Sequence, residues 1–580
     1  MADLSNAAIA EAFDELADLY ELDGAVVHRV LAYRTAAKNV RNATVSVAEL
    51  TKQGRVTSLP GIGRTLEEKI QAMIDTGTIP ALQKLRDRIP PGLAAITRLP
   101  GVGPKRVRTM YDQLGIDSLE TLRAAAESGR LSDAKGFGPK FQESVLAALE
   151  AGVADRPAPR MVLPTALEVG NQVVEALRAH PAAVHVEIAG SARRLADSVK
   201  DLDIVAAATD PGALASALAG IDVIASAGSA GENAARGRAH NGLGIDLRVV
   251  EPEQFGNLLQ HFTGSARHNM ALREAAVRRG LHVSEYGILD DATGETTTCA
   301  TEEEVYERLG LPWIEPELRE DRGELAKGFT APRLVTVEDL RGDLHCHTTL
   351  SDGRSTLAEM ARAAQARGYE YLAITDHSAT HGFGDHVTPD ELRRQIERVR
   401  ALDAELEGMR LLVGTETNIL PDGRPDYDDE LLSELDWVIA SVHTSFAMNE
   451  KDMTARMVAA IEHPWIDAIG HPTGRKISKR EPYSVDVDAL VEAAARTGTM
   501  IEINGAPDRR DLDDVHARAA AEAGVMVLID SDAHGAERLE HVKWAVATAR
   551  RAWLTADQIA NTRSWEEFAG LRKRAKAAAA

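Results

Sequence analysis

At 580 residues, 44% apolar and 27% charged, the chain is long enough for several globular domains and has no run of 18 apolar residues that would span a bilayer. Its two cysteines, Cys299 and Cys346, exclude a disulfide framework and point to a reducing, cytoplasmic setting. The net charge of −23 argues against a uniformly nucleic-acid-binding surface, but residues 1–160 carry 21 Lys and Arg against 20 Asp and Glu, so the acidic excess lies elsewhere. The acidic, amphipathic first twenty residues read as neither a signal nor a transit peptide.

Up to residue 153 the pattern is helical, punctuated by three turns of one form: residues 59–63 (LPGIG), 99–103 (LPGVG) and 135–138 (KGFG). Each opens a helix that carries Lys or Arg. The turns through Gly61 and Gly63, Gly101 and Gly103, and Gly136 and Gly138 either make tight helix–helix connections or leave backbone N–H groups to hold a DNA phosphate, with Lys105, Arg106 and Lys140 adding charge. Their threefold recurrence favours phosphate binding without sequence readout. They resemble helix-hairpin-helix motifs. Residues 1–85, with His28, Tyr33, Arg34 and Lys69, resemble the small lyase domain of DNA polymerase beta, and residues 86–153 its fingers. The resemblance implies that Lys69 is a Schiff-base lysine and that His28, Tyr33 and Arg34 form a 5′-phosphate site, although Arg29 and Thr65 replace lysines there. The other reading of Lys69 is a solvated helix lysine.

A Pro-rich linker is expected at 154–164. Beyond it, residues 188–194 (IAGSARR) precede 199–205 (VKDLDIV), which places Asp201 and Asp203 on one face of a strand. A second strand at 244–250 (GIDLRVV) brings Asp246 beside them. Three such carboxylates suit a pair of Mg²⁺ or Mn²⁺ ions for in-line phosphoryl displacement. Gly190 and Ser191 open a helix fit for a triphosphate, with Arg194 as a forked donor. This set resembles the palm of the family X nucleotidyltransferases, expected at 165–255. Residues 256–312 resemble the thumb, where Phe262 and Gly264 match the motif that packs on the incoming sugar. There His261 stands where the family has tyrosine, and the segment Ala266–Asn269 is shortened. Residues 313–342, rich in proline and charge, are expected as a linker.

From 343 to 575, short apolar runs ending in polar residues alternate with helix-like segments. This predicts an α/β parallel barrel, (β/α)7 in form, with its site at the C-terminal ends of the strands. Those ends carry His345, His347, Asp352, His377, Glu416, His443, His471, Asp532 and His534, a mixed imidazole and carboxylate set suited to Mn²⁺, Zn²⁺ or Fe²⁺. Cys346 alternates away from the flanking histidines and is read as packing. Residues 475–480, with Arg475, Lys476, Lys479 and Arg480, are either a phosphate rest or a solvated loop. The ligand pattern resembles the PHP phosphoesterases. The resemblance implies three ions: one on His345, His347, Glu416 and Asp532; one on Glu416, His443 and His471; one on Asp352, His377 and His534. Water activated by this cluster would attack a phosphorus atom.

The whole chain thus resembles the bacterial family X DNA polymerases with a C-terminal PHP domain. The implied activities are filling of short gaps in DNA repair and 3′→5′ exonuclease action, with abasic-site endonuclease or 3′-phosphatase action as further options of the second site. The expected partners are gapped or primed DNA and deoxynucleoside triphosphates, with no membrane, and the chain is expected to be a monomer. A small-molecule phosphatase carrying a vestigial polymerase, or a DNA-binding scaffold without activity, would be the alternatives.

Overall fold

The periodic apolar residues of the N-terminal region become packed helices in the computed structural model, which describes residues 4–97, 99, 102–150, 160–381 and 387–575. Ser5 caps the helix Asn6–Leu22 by accepting from Ala8 N, a contact of the kind that contributes about 1 kcal/mol. Ile9, Phe13 and Leu16 lie one or two turns apart and are fully buried. The buried amide of Asn6 bonds Ala43 O and Val45 O and accepts from Val47 N, which ties that helix to the next segment. The three glycine turns lead into the helices Arg64–Thr76, Pro104–Leu114 and Pro139–Glu150.

The chain forms two compact units. One comprises residues 1–160, 165–188 and 200–252; the other comprises 161–164, 189–199 and 253–580. Within the expected palm, residues 189–199 pack with the second unit. Most of the expected first linker lies outside the described residues. Its end is ordered: Met161–Val162 pairs antiparallel with Ser198–Val199, and Leu163–Arg178 is a helix.

In the first unit the strands Ala183–Ile188, Asp201–Ala208, Gly244–Val250, Ala234–Ala239 and Ile224–Gly231 lie side by side in that order. The two aspartate-bearing strands are parallel neighbours. Leu202 and Ile204 are fully buried, so the alternate positions, Asp201 and Asp203, face outward.

In the second unit the thumb helices Phe255–Thr263 and Ala266–Val277 precede a small three-stranded sheet and the helix Glu302–Arg308. The stretch 313–342 has almost no regular structure, as its prolines predict, yet it is packed. Ile314, Leu318 and Val335 are fully buried, and the buried Arg319 lies over the rings of Tyr306 and Trp313 and pairs with Glu302. Its charges neutralise partners inside the unit, which composition alone reads as solvated linker.

The barrel follows as seven parallel strands in sequential order, nearly closed: Gly342–Asp343, Tyr371–Ile374, Arg410–Asn418, Trp437–Ser441, Ala468–Ile469, Met500–Asn504 and Val527–Asp530. Two alternating sets of side chains divide its core. Leu372, Leu411, Val413, Val438, Ile501 and Ile529 join the helix-facing cluster. Tyr371, Leu412, Trp437, Ala468, Met500 and Leu528 form the inner one with Phe568. The Trp437 indole donates to Leu344 O at 2.9 Å inside it, as a buried N–H requires.

Candidate metal centres

Continuing each inner row to its C-terminal end leads from packing to chemistry. Leu412 leads through Gly414 to Glu416, Ala373 through Thr375 to His377, Trp437 and Ile439 through Ser441 to His443, and Leu528 through Asp530 to Asp532. Period-two geometry therefore converges these side chains on one mouth. His471 and Asp532 have φ of +29° and +51°. This left-handed backbone is rare outside glycine and is held here by surrounding bonds, including His471 N to Glu502 Oε2 at 2.6 Å.

Glu416 is the centre. Its Oε2 lies 2.8 Å from His377 Nδ1 and 3.4 Å from His345 Nε2, and its Oε1 lies 3.0 Å from His471 Nε2 and 3.2 Å from His443 Nε2. Asp532 Oδ1 lies 3.3 Å from His347 Nε2, and Asp352 Oδ2 lies 3.3 Å from His534 Nε2. All nine expected side chains meet here. Three metal-sized groups form among the described residues: His347, Asp352, His377 and His534; His345, His347 and Asp532; His377, Glu416 and His443. This differs from the allocation expected above, since His347 joins two groups and His377 is shared between the Glu416 and Asp352 sides.

The donor set fits divalent ions. His345 Nε2, both ring nitrogens of His347 and Glu416 Oε2 are buried without a hydrogen bond. Burial, then the nearby His534 and His377, push His347 down to about 3; burial and the Arg509 charge do the same to His471. Burial would raise the Glu416 and Asp532 carboxyls, but the surrounding histidines hold both well below the usual range. His347 and His471 are thereby kept neutral, whereas, against burial, the carboxylates push His345 well up and Asp352 pushes His534 up to about 9, so a cation that binds here displaces protons from those imidazoles.

Supporting residues, largely unread in the sequence, fix this geometry. Glu502 Oε1 accepts from His345 Nδ1 at 2.6 Å, which orients the ring, and Asn504 Nδ2 donates to Asp532 Oδ2 at 3.1 Å. The alternation in 500–504 (MIEIN) carried the signal for both. Asp376 gathers Thr348 N, Thr348 Oγ1 and Ser351 Oγ, which sets the loop bearing Asp352. His381, buried and stacked 4.7 Å from His377, and Arg509, whose Nε is 3.6 Å from Asp532 Oδ2, had no readable motif. Cys346 is buried in the helix-facing core and its Sγ donates to Ala373 O, so it packs as expected.

Three of the four basic residues after His471 are committed. Arg475 pairs with Asp197 at 2.8 Å, Lys479 pairs with Asp508, and Arg480 donates to Gly474 O and lies over Phe446. Lys476 has no ion pair among the described residues and is half-buried; burial, then the Arg509 charge, lower its pKa.

In the palm sheet Asp203 stands opposite Asp246 and Asp201 opposite Gly244. Asp201 is exposed and the other two are half-buried. Asp246 is already held by Arg248 Nε at 2.8 Å and Arg236 Nε at 3.0 Å. All-oxygen donors on one face fit Mg²⁺, but among the described residues this trio is not drawn into a metal-sized group.

In the second unit Gly190, at φ +61°, and Ser191 begin the short helix Gly190–Arg193. The Arg194 fork is less available than expected: Nε pairs with Glu320 and Nη1 bonds Thr263 O, leaving Nη2 for an outside acceptor. His261 and Phe262 stack obliquely, 5.5 Å apart; burial lowers the His261 pKa against the opposing pull of Glu285. A Cβ on Gly264 would come 2.5 Å from Asn269 Oδ1, so the position needs glycine. Asn269 in turn donates to His261 O and Gly264 O and holds that turn.

The glycine turns share one hydrogen bond: Ile62 N to Leu59 O, Val102 N to Leu99 O and Phe137 N to Ala134 O, each 3.1 Å. Ile62, Val102 and Phe137 are all buried. The helix ends after Gly63 and Gly103 have no side-chain cap. Gly101 lies outside the described residues. Lys69 is half-buried on its helix and His28 is exposed. Tyr33 is buried and stacked on Tyr20, and Arg34 pairs with Asp18 and Glu21.

Known family models match this chain as a helix-hairpin-helix domain (4–79), a SAM-like helix-hairpin-helix tandem (93–151), a DNA polymerase beta thumb (258–320) and a PHP domain (343–506). The last match ends before Asp532 and His534, which the final strand delivers. Fold and matches define the class: a polymerase-beta-like body joined to a PHP phosphoesterase. Over 568 residues the chain is 37% identical to the DNA polymerase/3′-5′ exonuclease PolX of Bacillus subtilis (strain 168), covering 98% of this chain and 99% of that protein. The chain belongs to the PolX family. Shorter matches are to probable phosphatases of Caldanaerobacter subterraneus subsp. tengcongensis, 34% identical over 33% of this chain and 75% of that protein, and of Thermoanaerobacter sp. (strain X514), 31% over 38% and 89%. No described helix is long and apolar enough to cross a membrane.

Proposed function

We propose that the chain is a repair DNA polymerase that fills short gaps at its palm and trims 3′ ends at its barrel. The observation that carries this reading is the meeting of nine ligand-type side chains, Glu416 among them, in a PolX-family chain whose other unit sets Asp203 opposite Asp246. Asp201, Asp203 and Asp246 would hold Mg²⁺ or Mn²⁺ against a deoxynucleoside triphosphate, with Asp246 exchanging its arginine contacts for the ion. Gly190, Ser191, His261, Phe262 and Gly264 would seat the nucleotide. The turns at Gly61, Gly63, Gly101, Gly103, Gly136 and Gly138, with Lys105, would hold the DNA backbone.

In the barrel, three Mn²⁺, Zn²⁺ or Fe²⁺ ions would divide the nine ligands about Glu416. Such ions activate water and stabilise charge that develops on phosphate oxygens. The chain's own part is orientation and seating. Glu502 fixes His345 and Asp376 fixes the Asp352 loop, and Lys476 and Arg509 would place a DNA phosphate by their charge. Lys69, half-buried on its helix, is read as a helix lysine, since Arg34 beside the matching segment is paired with Asp18 and Glu21.

The test is gap filling with Mg²⁺ and single-strand trimming with Mn²⁺, measured in an Asp201→Asn/Asp203→Asn chain and a His345→Ala/His347→Ala chain. Each double variant should lose its own activity and keep the other. Rapid turnover of small phosphate monoesters with no activity on DNA would instead support a small-molecule phosphatase.

A further inference from the structure

Residues 189–199 carry Gly190 and Ser191, yet their backbone is gripped by arginines of the barrel. Arg510, fully buried, donates Nη2 to Leu195 O at 2.9 Å and Nε to Thr548 Oγ1 at 2.9 Å, and its Nε lies 3.3 Å from Asp197 Oδ1. Arg475 Nη2 takes the other oxygen of Asp197 at 2.8 Å. Arg551 Nη1 donates to Arg194 O at 2.8 Å and to Glu320 Oε1 at 2.9 Å, the same oxygen that accepts Arg194 Nε, while its Nη2 pairs with Asp514 at 2.9 Å. Leu195 sits at φ +56°, a conformation that a leucine adopts only when its surroundings impose it. Here its carbonyl is the one that Arg510 holds.

We infer that the barrel is a positioning element of the polymerase: Arg475, Arg510 and Arg551 hold residues 189–199 in the conformation that presents Gly190 and Ser191 to the triphosphate of the incoming nucleotide. This rests on the nucleotide-binding reading of Gly190 and Ser191. The physical basis is the density of the contact. Two backbone carbonyls and two carboxylates of one short segment and its thumb neighbour receive three arginines, none of which is solvated like a surface side chain; Arg510 is 0%, Arg551 9% and Arg475 14% exposed at the side chain. The segment's own bonds, Leu195 N to Ala192 O and Ala196 N to Ser191 O at 3.0 Å each, shape the turn, and the arginines fix its carbonyls to the barrel. The same barrel loop begins at His471 and continues through Thr473, whose N and Oγ1 bond Asp511, the residue after Arg510. The grip on the nucleotide segment and a ligand of the barrel site therefore share one loop framework.

The test is steady-state filling of a one-nucleotide gap by the full chain, with Asp197→Asn and Glu320→Gln as separate variants and thermal melts to verify folding. If the competent segment conformation falls to about a tenth of the population, the KM for the nucleotide rises about tenfold. We expect that rise with kcat changed less than about twofold on the same scale, and with gapped-DNA affinity and Mn²⁺-dependent trimming at the wild-type level. Glu320→Gln carries the same expectation if Asp197→Asn does not fold. An unchanged nucleotide KM in a folded variant, or an equal fall in gap filling and trimming, overturns the proposal. Asp201→Asn is measured alongside: if it still fills gaps, the polymerase reading itself fails, whereas if it is inactive and Asp197→Asn keeps its KM, only the positioning role fails.

Discussion

In the barrel seven of the nine ligand side chains are buried, and Glu416 already lies within 3.4 Å of four histidines. In the palm sheet Asp201 is open to solvent and Asp246 is occupied by two arginines. Both sites collect acidic residues on the ends or edges of strands, but they differ in what is prepared before an ion arrives. Closure would make cation binding part of the stability of the barrel, because burial leaves His345 Nε2, both ring nitrogens of His347 and Glu416 Oε2 without a hydrogen bond. On the proposed reading the palm site would exchange its ions with each nucleotide, with Arg236 and Arg248 on Asp246 when the ions leave. A trimming site that stays loaded and a synthetic site that reloads would need these opposite constructions.

The largest effect that would break this contrast is at its hub. Glu416→Gln removes the charge that faces four histidines and should cut Mn²⁺-dependent trimming about a thousandfold or more, because several kcal/mol of charge stabilisation goes with it. Gap filling should hold within about twofold on the same scale; a parallel fall in a trimming and gap-filling assay would show that the sites are not separate.

Next in size is the packing that joins the thumb to residues 189–199 and 313–342 in the second unit. Glu302 neutralises the fully buried Arg319 and also pairs with Arg193 at 2.6 Å. Glu302→Ala leaves a buried guanidinium unpaired and should cost about 3–5 kcal/mol in denaturant unfolding. Burial alone would raise the Glu302 carboxyl, but Arg319 and Arg193 hold it below its ordinary 4.5. Its folded pKa is depressed, so its stabilisation is full above pH 4.5 and is lost as pH falls through the depressed value. Melting temperature against pH should show this acid loss in the parent chain and a flatter profile in Glu302→Gln.

Much of the barrel was legible because its rule is periodic. Strand–helix alternation locates seven strands, and the polar residues at and just beyond the ends of the inner rows mark where the nine candidate ligands gather. The residues missed obey no such rule in one dimension. Glu502 looks like any alternating strand residue until His345, 157 positions away, is seen against it. Arg509 and His381 lie on irregular loops. The stretch 313–342 misled because proline and charge describe a backbone without repeats, and that says nothing about whether Arg319 finds two aromatic rings and Glu302. The palm strands were legible by the same period-two rule, but the arginines on Asp246 depend on pairing across strands, and the allegiance of 189–199 depends on barrel residues more than 270 positions later.

A smaller effect sharpens the role of those unread supports. Glu502→Gln should weaken metal affinity about 10- to 100-fold, measured by competition with a chelator, while leaving all nine ligands in place. No change would mean that His345 is oriented by packing alone. The smallest expected effect is at Lys69: Lys69→Ala should shift stability by less than about 0.5 kcal/mol and leave no Schiff-base adduct to be lost on an abasic substrate trapped with borohydride. A trapped adduct that vanishes in this variant would restore the lyase reading.

The most direct measurement is metal content after gel filtration of the Mn²⁺-loaded chain in metal-free buffer. The account predicts that metal co-elutes with the parent chain, co-elutes undiminished with the Asp201→Asn/Asp203→Asn chain, and is lost from the His345→Ala/His347→Ala chain. Metal that leaves the parent chain entirely, or that follows the palm aspartates instead of the barrel histidines, would contradict it.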